Sequence, residues 1–496
     1  MILKLYNELD ANIKYFENAF DNCGDLVKRK FPIGRNLDRW LYVAYFDLLI
    51  DRNSFEANIL TKLMLGLRGP VGIDELDGDI FETLKDVGFT TADLKEETDF
   101  TAVTDAVLSG DTAVMVDGYD RAIVVSSKEW PNRGVPAAET EAVVQGSKEA
   151  FTEVFRFNTV LIRRRIRDTG LKVEQMRIGT KSGTDVALMY LDGIVRPSVL
   201  DETRKRLGKI NIDAILDAGY IDQLISDDWK SPFPQTQITE RPDKAAAAVL
   251  EGRIIIVADN SPFVAIVPAT LNTFFQSSED YCQHFGIMSF TRALRWISAF
   301  LAVALPGMYI TLAIYHPSML PMELAYKLSA ARKNVPFPAV LEILIMDIAF
   351  ELIREAGLRL PGAVGGTIGI VGGLIVGQAA VEAGIVSPIV VIIIALTGIA
   401  GFAIPHYSLS SGFRIMKYLI IFLSAFIGLL GFLASGLLIM IHLVSLKSFG
   451  IPYMFPYTAG EMNGMSDFKD TIFRMPLLKM KKRPIFARPE AQIRFK

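Results

Sequence analysis

Hydrophobic and polar positions divide the chain near residue 290. Before that point the apolar runs have strand length, alternate with helical periods and polar turns, and never extend far enough to cross a bilayer. After it the pattern changes. Trp296 to Tyr315 holds twenty residues without a charge, and Val364 to Val381, Ile389 to Ile404 and Tyr418 to Leu446 are three further uncharged runs, the last of 29 residues. About 20 apolar residues in a helix cross the ~30 Å hydrocarbon layer, so four spans are predicted. Pro306 predicts a kink in the first, and the fourth is either one tilted helix or a hairpin broken near Gly431 to Gly436.

Upstream of residue 290 the same pattern occurs twice. VAYFDLLID around Asp47 is echoed by LMYLDGIVR around Asp192, each an apolar strand ending in Asp before a helical segment. GDTAVMVDGYDRAIVV around Asp117 is echoed by EGRIIIVADNSPFVAIV around Asp259, each two strands joined by a D-G or D-N turn suited to positive φ. The expected architecture is α+β: two similar α/β subdomains at 1–140 and 141–290, a helical polytopic membrane domain at 291–446, and a basic cytosolic tail at 447–496.

Two stretches of the membrane domain are candidates for function. In AVLEILIMDIAFELIREAGLRLP, at 100° per residue, Asp347, Glu351 and Arg354 fall within a ~60° stripe with Glu355 beside it. Ile345, Ile348, Ala349 and Leu352 occupy a separate arc of ~100°. Such a helix either lies in the interface with a solvated charged edge, which is the simpler expectation, or faces a polar cavity inside a bundle. In LPGAVGGTIGIVGGLIVGQAAVEAG, Gly365, Gly369, Gly373 and Gly377 recur every fourth residue and place small residues on one helical face. That row is either a tight helix contact or the face of a helix packed against copies of itself around a pore, with Gln378 and Glu382 at one end of it.

Composition narrows the function classes. The chain has 496 residues, 51% hydrophobic and 22% charged, with a mean hydropathy of +0.31, which excludes a disordered or fibrous protein. Two cysteines and four histidines without ligand spacing point away from a disulfide framework, a zinc cluster or a metalloenzyme. No Ser-His-Asp grouping, P-loop or Rossmann fingerprint occurs, so neither an enzyme nor a cofactor is expected, and nothing suggests nucleic acid. Arg163-Arg164-Arg165 reads as the solvated side of a helix and His406 as a surface loop residue. Residues 291–496 hold 19 Lys+Arg against 10 Asp+Glu, which leaves 33 against 45 for the rest. With KMKKRP in the tail and no basic n-region before an apolar core at the start, both ends are expected in the cytosol, with an even number of crossings. Lys327, Arg332 and Lys333 would then lie outside, which leaves open a path in which the charged helix itself crosses.

Several long segments carry a family resemblance: SPFPQTQITERPDKAAAAVLEGRIIIVADNSPFVAIVPAT (231–270), TEVFRFNTVLIRRRIRD (152–168), VPFPAVLEILIMDIAFELIREAGLRLP (335–361), VGQAAVEAGIVSP (376–388), FAIPHYS (402–408), FGIPYMFPY (449–457) and DFKDTIFRMPLLKMKKRP (467–484). They resemble the A subunits of GerA-type spore germinant receptors, over about residues 30 to 485. The resemblance implies a protein of the spore inner membrane that works with a transporter-like B subunit and a lipoprotein C subunit. It implies a homo-oligomer, a pentamer, forming a channel that nutrients open to monovalent cations, by a population shift. A non-receptor relative, the stage V sporulation AF protein, shares the fold, so a membrane scaffold that clusters receptors is the alternative. Many receptor subunits carry a long charged N-terminal extension, and the expectation here is a form without one.

Overall fold

The computed structural model describes residues 4–33, 39–50, 80–85, 94–128, 137–359 except 139 and 142, 373–458 except 374, and 464–494. Two compact units emerge. The first comprises 1–226, 236–268 and 481–496, and the second 227–235 and 269–480.

The first unit contains the duplication. β1 (Leu26–Ile33), β2 (Arg39–Phe46), β3 (Leu94–Glu97), β4 (Thr112–Val116) and β5 (Ala122–Val125) form a sheet of order β1-β2-β4-β5-β3. β6 (Leu171–Ile178), β7 (Thr184–Leu191), β8 (Gln237–Thr239), β9 (Ile254–Ala258) and β10 (Val264–Val267) form β6-β7-β9-β10-β8, the same order, and every pairing in both is antiparallel. Asp47 and Asp192 follow the equivalent strands β2 and β7, while Asp117 and Asp259 follow β4 and β9, as the sequence pattern requires. The hairpin turns hold Gly118 at φ +89° and Asn260 at +64°.

The repeat reaches individual hydrogen bonds. The first N–H groups of a helix lack helical partners, and a carboxylate there also suits the helix dipole. Asp117 Oδ1 accepts from the N–H of Leu9, the first residue of α1 (Leu9–Ala19), at 3.2 Å. Asp259 Oδ1 accepts from the N–H of Phe155, the first residue of α2 (Phe155–Arg163), at 3.1 Å. One turn into each helix a buried asparagine braces the incoming loop: Asn12 bonds both backbone groups of Tyr6, and Asn158 both of Thr152.

The two subdomains of this unit meet through charge. Arg163 is fully buried, holds Asp25 with two nitrogens, donates to the Leu171 carbonyl at 3.2 Å and lies 4.1 Å from the Phe46 ring centroid. Arg164 and Arg165 both bind Glu149. The arginine run is therefore not the solvated edge of a helix; its charges are consumed by carboxylates that lie 15 or more residues away in sequence.

In the second unit α3 (Phe285–Ile310) contains Pro306 and continues into a π-helical turn at Thr311–Tyr315. It is followed by α4 (Met322–Arg332), α5 (Ala339–Arg359), α6 (Pro388–Phe402), α7 (Tyr407–Ile427) and α8 (Leu429–Ser445). Among the described residues two stretches, Phe285–Tyr315 and Tyr407–Ile427, are long and apolar enough to cross a membrane, and α6 and α8 are shorter apolar helices. The α7–α8 hairpin turns at Gly428, whose φ of +65° suits glycine and where a Cβ would come within 2.8 Å of the Tyr315 ring; the break falls just before the predicted Gly431 to Gly436 stretch. The α3–α7 contact closes at Gly307, whose Cβ would come within 2.4 Å of Ile420 Cγ2, and the α5–α6 contact at Gly398, whose Cβ would come as close to the Phe350 ring. Small residues let membrane helices approach in this way.

Packing also fixes directions within this unit. Glu342, early in α5, accepts from Ser387 N–H at the start of α6, whereas Arg354, late in α5, lies 4.8 Å from the Phe402 ring at the end of α6. α5 and α6 thus run parallel. α7 runs antiparallel to both, since Asp347 meets Lys417 while Glu351 meets the earlier Arg414.

Candidate functional site

The charged stripe of α5 is turned inward. Asp347 is 2% exposed, and its Oδ1 lies 2.5 Å from Lys417 Nζ on α7. One turn on, Glu351 binds Arg414, and Arg354 Nη1 approaches Glu351 Oε2 at 3.5 Å. One turn earlier, fully buried Glu342 accepts from Arg332 Nε at 3.1 Å and from Ser387 N–H at 2.9 Å, tying α4, α5 and α6 together. On the other side of α5, Ile348 is 52% and Leu352 67% exposed. This is the inverse of a helix on a water-soluble domain, where the apolar stripe faces the core. The solvated charged edge expected as the simpler case does not hold at Asp347, because Lys417 reaches it from α7. Glu355, just beside the stripe, is exposed.

Two complementary charges taken out of water are tolerated when they pair, whereas either alone is strongly destabilising. The stripe therefore needs Lys417 and Arg414, which a search for uncharged runs places outside the span. The sequence does hold a signal: Arg414 and Lys417 are three apart and Asp347 and Glu351 four, so each pair shares one helix face. His406 is likewise buried, its ring 5.4 Å from that of Phe274.

The second candidate lies apart from the stripe. On the helical segment 375–382, Gln378 Nε2 donates to Glu382 Oε1 at 3.0 Å, and both side chains are exposed, as are Ile375 and Val376. Gly377 is buried, and a Cβ on it would come within 3.2 Å of Val391 Cγ1 on α6; at Gly373 an added Cβ meets nothing within 4 Å. Gly365 and Gly369 lie outside the described residues.

A third cluster escapes sequence inspection. Arg292, near the start of α3 and fully buried, pairs with Asp280 and Asp470 at 2.6 Å each, while Arg295 adds a bond to Asp280 and Arg474 binds the Asp280 carbonyl. It joins segments more than 170 residues apart, and no local spacing announces it.

Compared with known proteins, the sequence matches the Bacillus/Clostridium GerA spore germination protein family over residues 14–486. The chain belongs to the GerA family. Among its relatives, spore germination protein GerLA of Bacillus cereus is 40% identical over 97% of this chain and 96% of the relative. Spore germination protein KA of Bacillus subtilis (strain 168) is 38% identical over 98% of this chain and 88% of the relative. An uncharacterized membrane protein of the same strain, YfkQ, is 38% identical over 96% of this chain and 90% of the relative. The crystal structure of the N-terminal domain of the A subunit of the Bacillus megaterium spore germinant receptor GerK3 is similar at 33% identity and a TM-score of 0.43, covering 55% of this chain and 98% of that one. The GerA chain described here thus combines two similar N-terminal β-sheet subdomains with a helical region that carries candidate membrane-spanning helices.

Proposed function

We propose that this GerA-family chain is a non-catalytic A-type subunit of a spore germinant receptor, and that copies of it, with a pentamer as the expected ring, form a nutrient-gated path for monovalent cations. A transporter-like B subunit and a lipoprotein C subunit would complete the receptor in the spore inner membrane. The observation that carries this reading is the exposed Gln378–Glu382 pair beside exposed Ile375 and Val376. A carboxylate among membrane-facing apolar residues is costly unless it meets water or a partner. A ring of copies would give it both, around an aqueous axis.

The parallel α5 and α6, with α7 antiparallel to both, support a path in which α5 crosses as well, and with it an even count larger than four. Residues 481–496 share a unit with 1–226, which favours an even count and both ends in the cytosol. A second reading, a membrane scaffold that clusters other receptors, is favoured by the contact of Gly377 with Val391, since some of the glycine face is then used within one chain.

Potassium release from spores carrying the protein with its B and C partners tests the two. In the channel reading, Glu382→Gln and Gln378→Ala change the rate of nutrient-triggered release or the resting leak at constant protein level. Normal release with lost receptor clustering supports the scaffold.

A further inference from the structure

An apolar groove of about 510 Å³ runs between α3 and α8 in the second unit, and neither the charged stripe nor the Gln378–Glu382 pair uses it. Its walls are Trp296, Phe300 and Val303 from α3 and Leu433, Gly436 and Met440 from α8. These positions are spaced three, four or seven apart, so each set forms one helix face. Phe300, Leu433 and Met440 are exposed and form the rim, while Val303 is buried and lies deeper. Gly436 leaves the groove open: a Cβ there would touch nothing within 4 Å.

We propose that this groove holds one acyl chain of a bilayer lipid, bound as a fixed component of the membrane domain. The proposal rests on the reading that this unit is embedded in a membrane. Length favours the occupant. The lining runs from Trp296 to Ala304 on α3 and from Phe432 to Leu443 on α8. At ~1.5 Å per residue these are about 12 and 17 Å, close to half of the ~30 Å hydrocarbon layer, which is the depth of a single leaflet. Width favours it too. A helix with its side chains is ~10–12 Å across, so a groove of this volume takes little more than one helical turn but suits one unbranched hydrocarbon chain.

Polarity sets the direction. At one end Trp296 stacks on Phe275 with ring centroids 4.0 Å apart, just after the ion-paired Arg292 and Arg295 on α3. Tryptophan is enriched at the headgroup level of a bilayer. From there the groove descends past Phe300 and Met440 to Ala304 and Phe432, where the lining is wholly apolar. The acyl chain enters with its ester end near Trp296 and its methyl end toward the bilayer centre.

Tryptophan quenching tests this directly. The full chain with Trp40, Trp130 and Trp229 changed to Phe keeps Trp296 as its single tryptophan. It is reconstituted in phosphatidylcholine vesicles brominated near the headgroup end of the acyl chain, and vesicle flotation confirms insertion. Trp296 fluorescence is expected to fall at least twofold relative to unbrominated vesicles. Gly436→Ala, which clashes with nothing, should recover some of it, and Gly436→Leu, which fills the floor, most of it. A floated protein whose Trp296 is not quenched, as when a helix of a second copy covers the groove, overturns the proposal. Quenching that both Gly436 variants leave unchanged also overturns it, because Trp296 would then be sensing bulk lipid. A protein that fails to float overturns the membrane reading itself and removes the basis for the groove.

Discussion

Single side chains in this molecule matter most where an opposite charge depends on them. Asp347 and Lys417 are both nearly buried and lie 2.5 Å apart. Asp347→Ala strands Lys417, and the expected loss is about 3–5 kcal/mol. Adding Lys417→Met removes the stranded charge, so the double variant should recover most of that loss, as thermal unfolding of the detergent-solubilised chain would show. If the double variant is no more stable than the single one, the pair does not stabilise by charge compensation. Glu174 is a parallel case in the first unit. Burial alone would raise its carboxyl, but hydrogen bonds from Arg204 and Tyr190 outweigh that and hold it below the ordinary carboxylate range. An acid whose folded pKa is depressed contributes stability above its unfolded value of about 4.3, and that contribution is lost as pH falls through the lower folded value. Glu174→Gln should therefore flatten the stability profile of the second sheet below about pH 4.3 and leave its shape near pH 7 unchanged. Urea unfolding followed across that range reads the difference.

At the scale of elements, glycine has opposite roles in different helices. Gly307→Ala and Gly398→Ala place a Cβ 2.4 Å from Ile420 and from Phe350. Overpacking of this kind costs typically 1–3 kcal/mol. Gly373→Ala meets nothing and should be neutral or slightly stabilising. Ranking the three by melting temperature checks the assignment: a large loss at Gly373 instead would mean that its face is covered by another copy. The row at Gly365, Gly369, Gly373 and Gly377 was visible because its members repeat in sequence, while Gly307 and Gly398 act singly against distant partners. The same reason separates what the sequence discloses from what it conceals elsewhere. The duplication was legible through Asp47, Asp117, Asp192 and Asp259, because strand ends and turns leave local signatures. The inward face of α5 was legible as a stripe but not as buried, since burial depends on Lys417, 70 residues away. Spans drawn from uncharged runs begin α7 too late for that reason, and they pass over a helix such as α5 that buries its charges in pairs.

At the scale of the whole molecule, both ends of the chain belong to the first unit. Residues 481–494 fold onto the second sheet's subdomain: Ala487 bridges Val195, Arg488 N–H donates to the Ile194 carbonyl at 2.8 Å, and Arg483 Nε donates to the Leu250 carbonyl at 2.9 Å. The chain enters the helical unit from this unit and returns to it, so in the proposed membrane reading an even number of crossings is tied to this docking contact. Gly252 is the point where the contact is tightest. It sits at φ +91°, and a Cβ would lie 2.8 Å from the Ala487 Cα. An L-residue held in that left-handed region costs roughly 1–2 kcal/mol before any clash is counted, and the clash is with backbone, which cannot rotate away. Gly252→Ala should therefore release the tail, and each ~1.4 kcal/mol raises the open population about tenfold. Hydrogen exchange in the full chain should rise by at least that factor across 483–494 and 194–196, while the β1–β5 sheet keeps its protection. Exchange that rises equally in both sheets would mean that the tail supports the whole first unit; exchange that does not rise at all would mean that the tail stays docked, and that Gly252 is dispensable to the return of the chain.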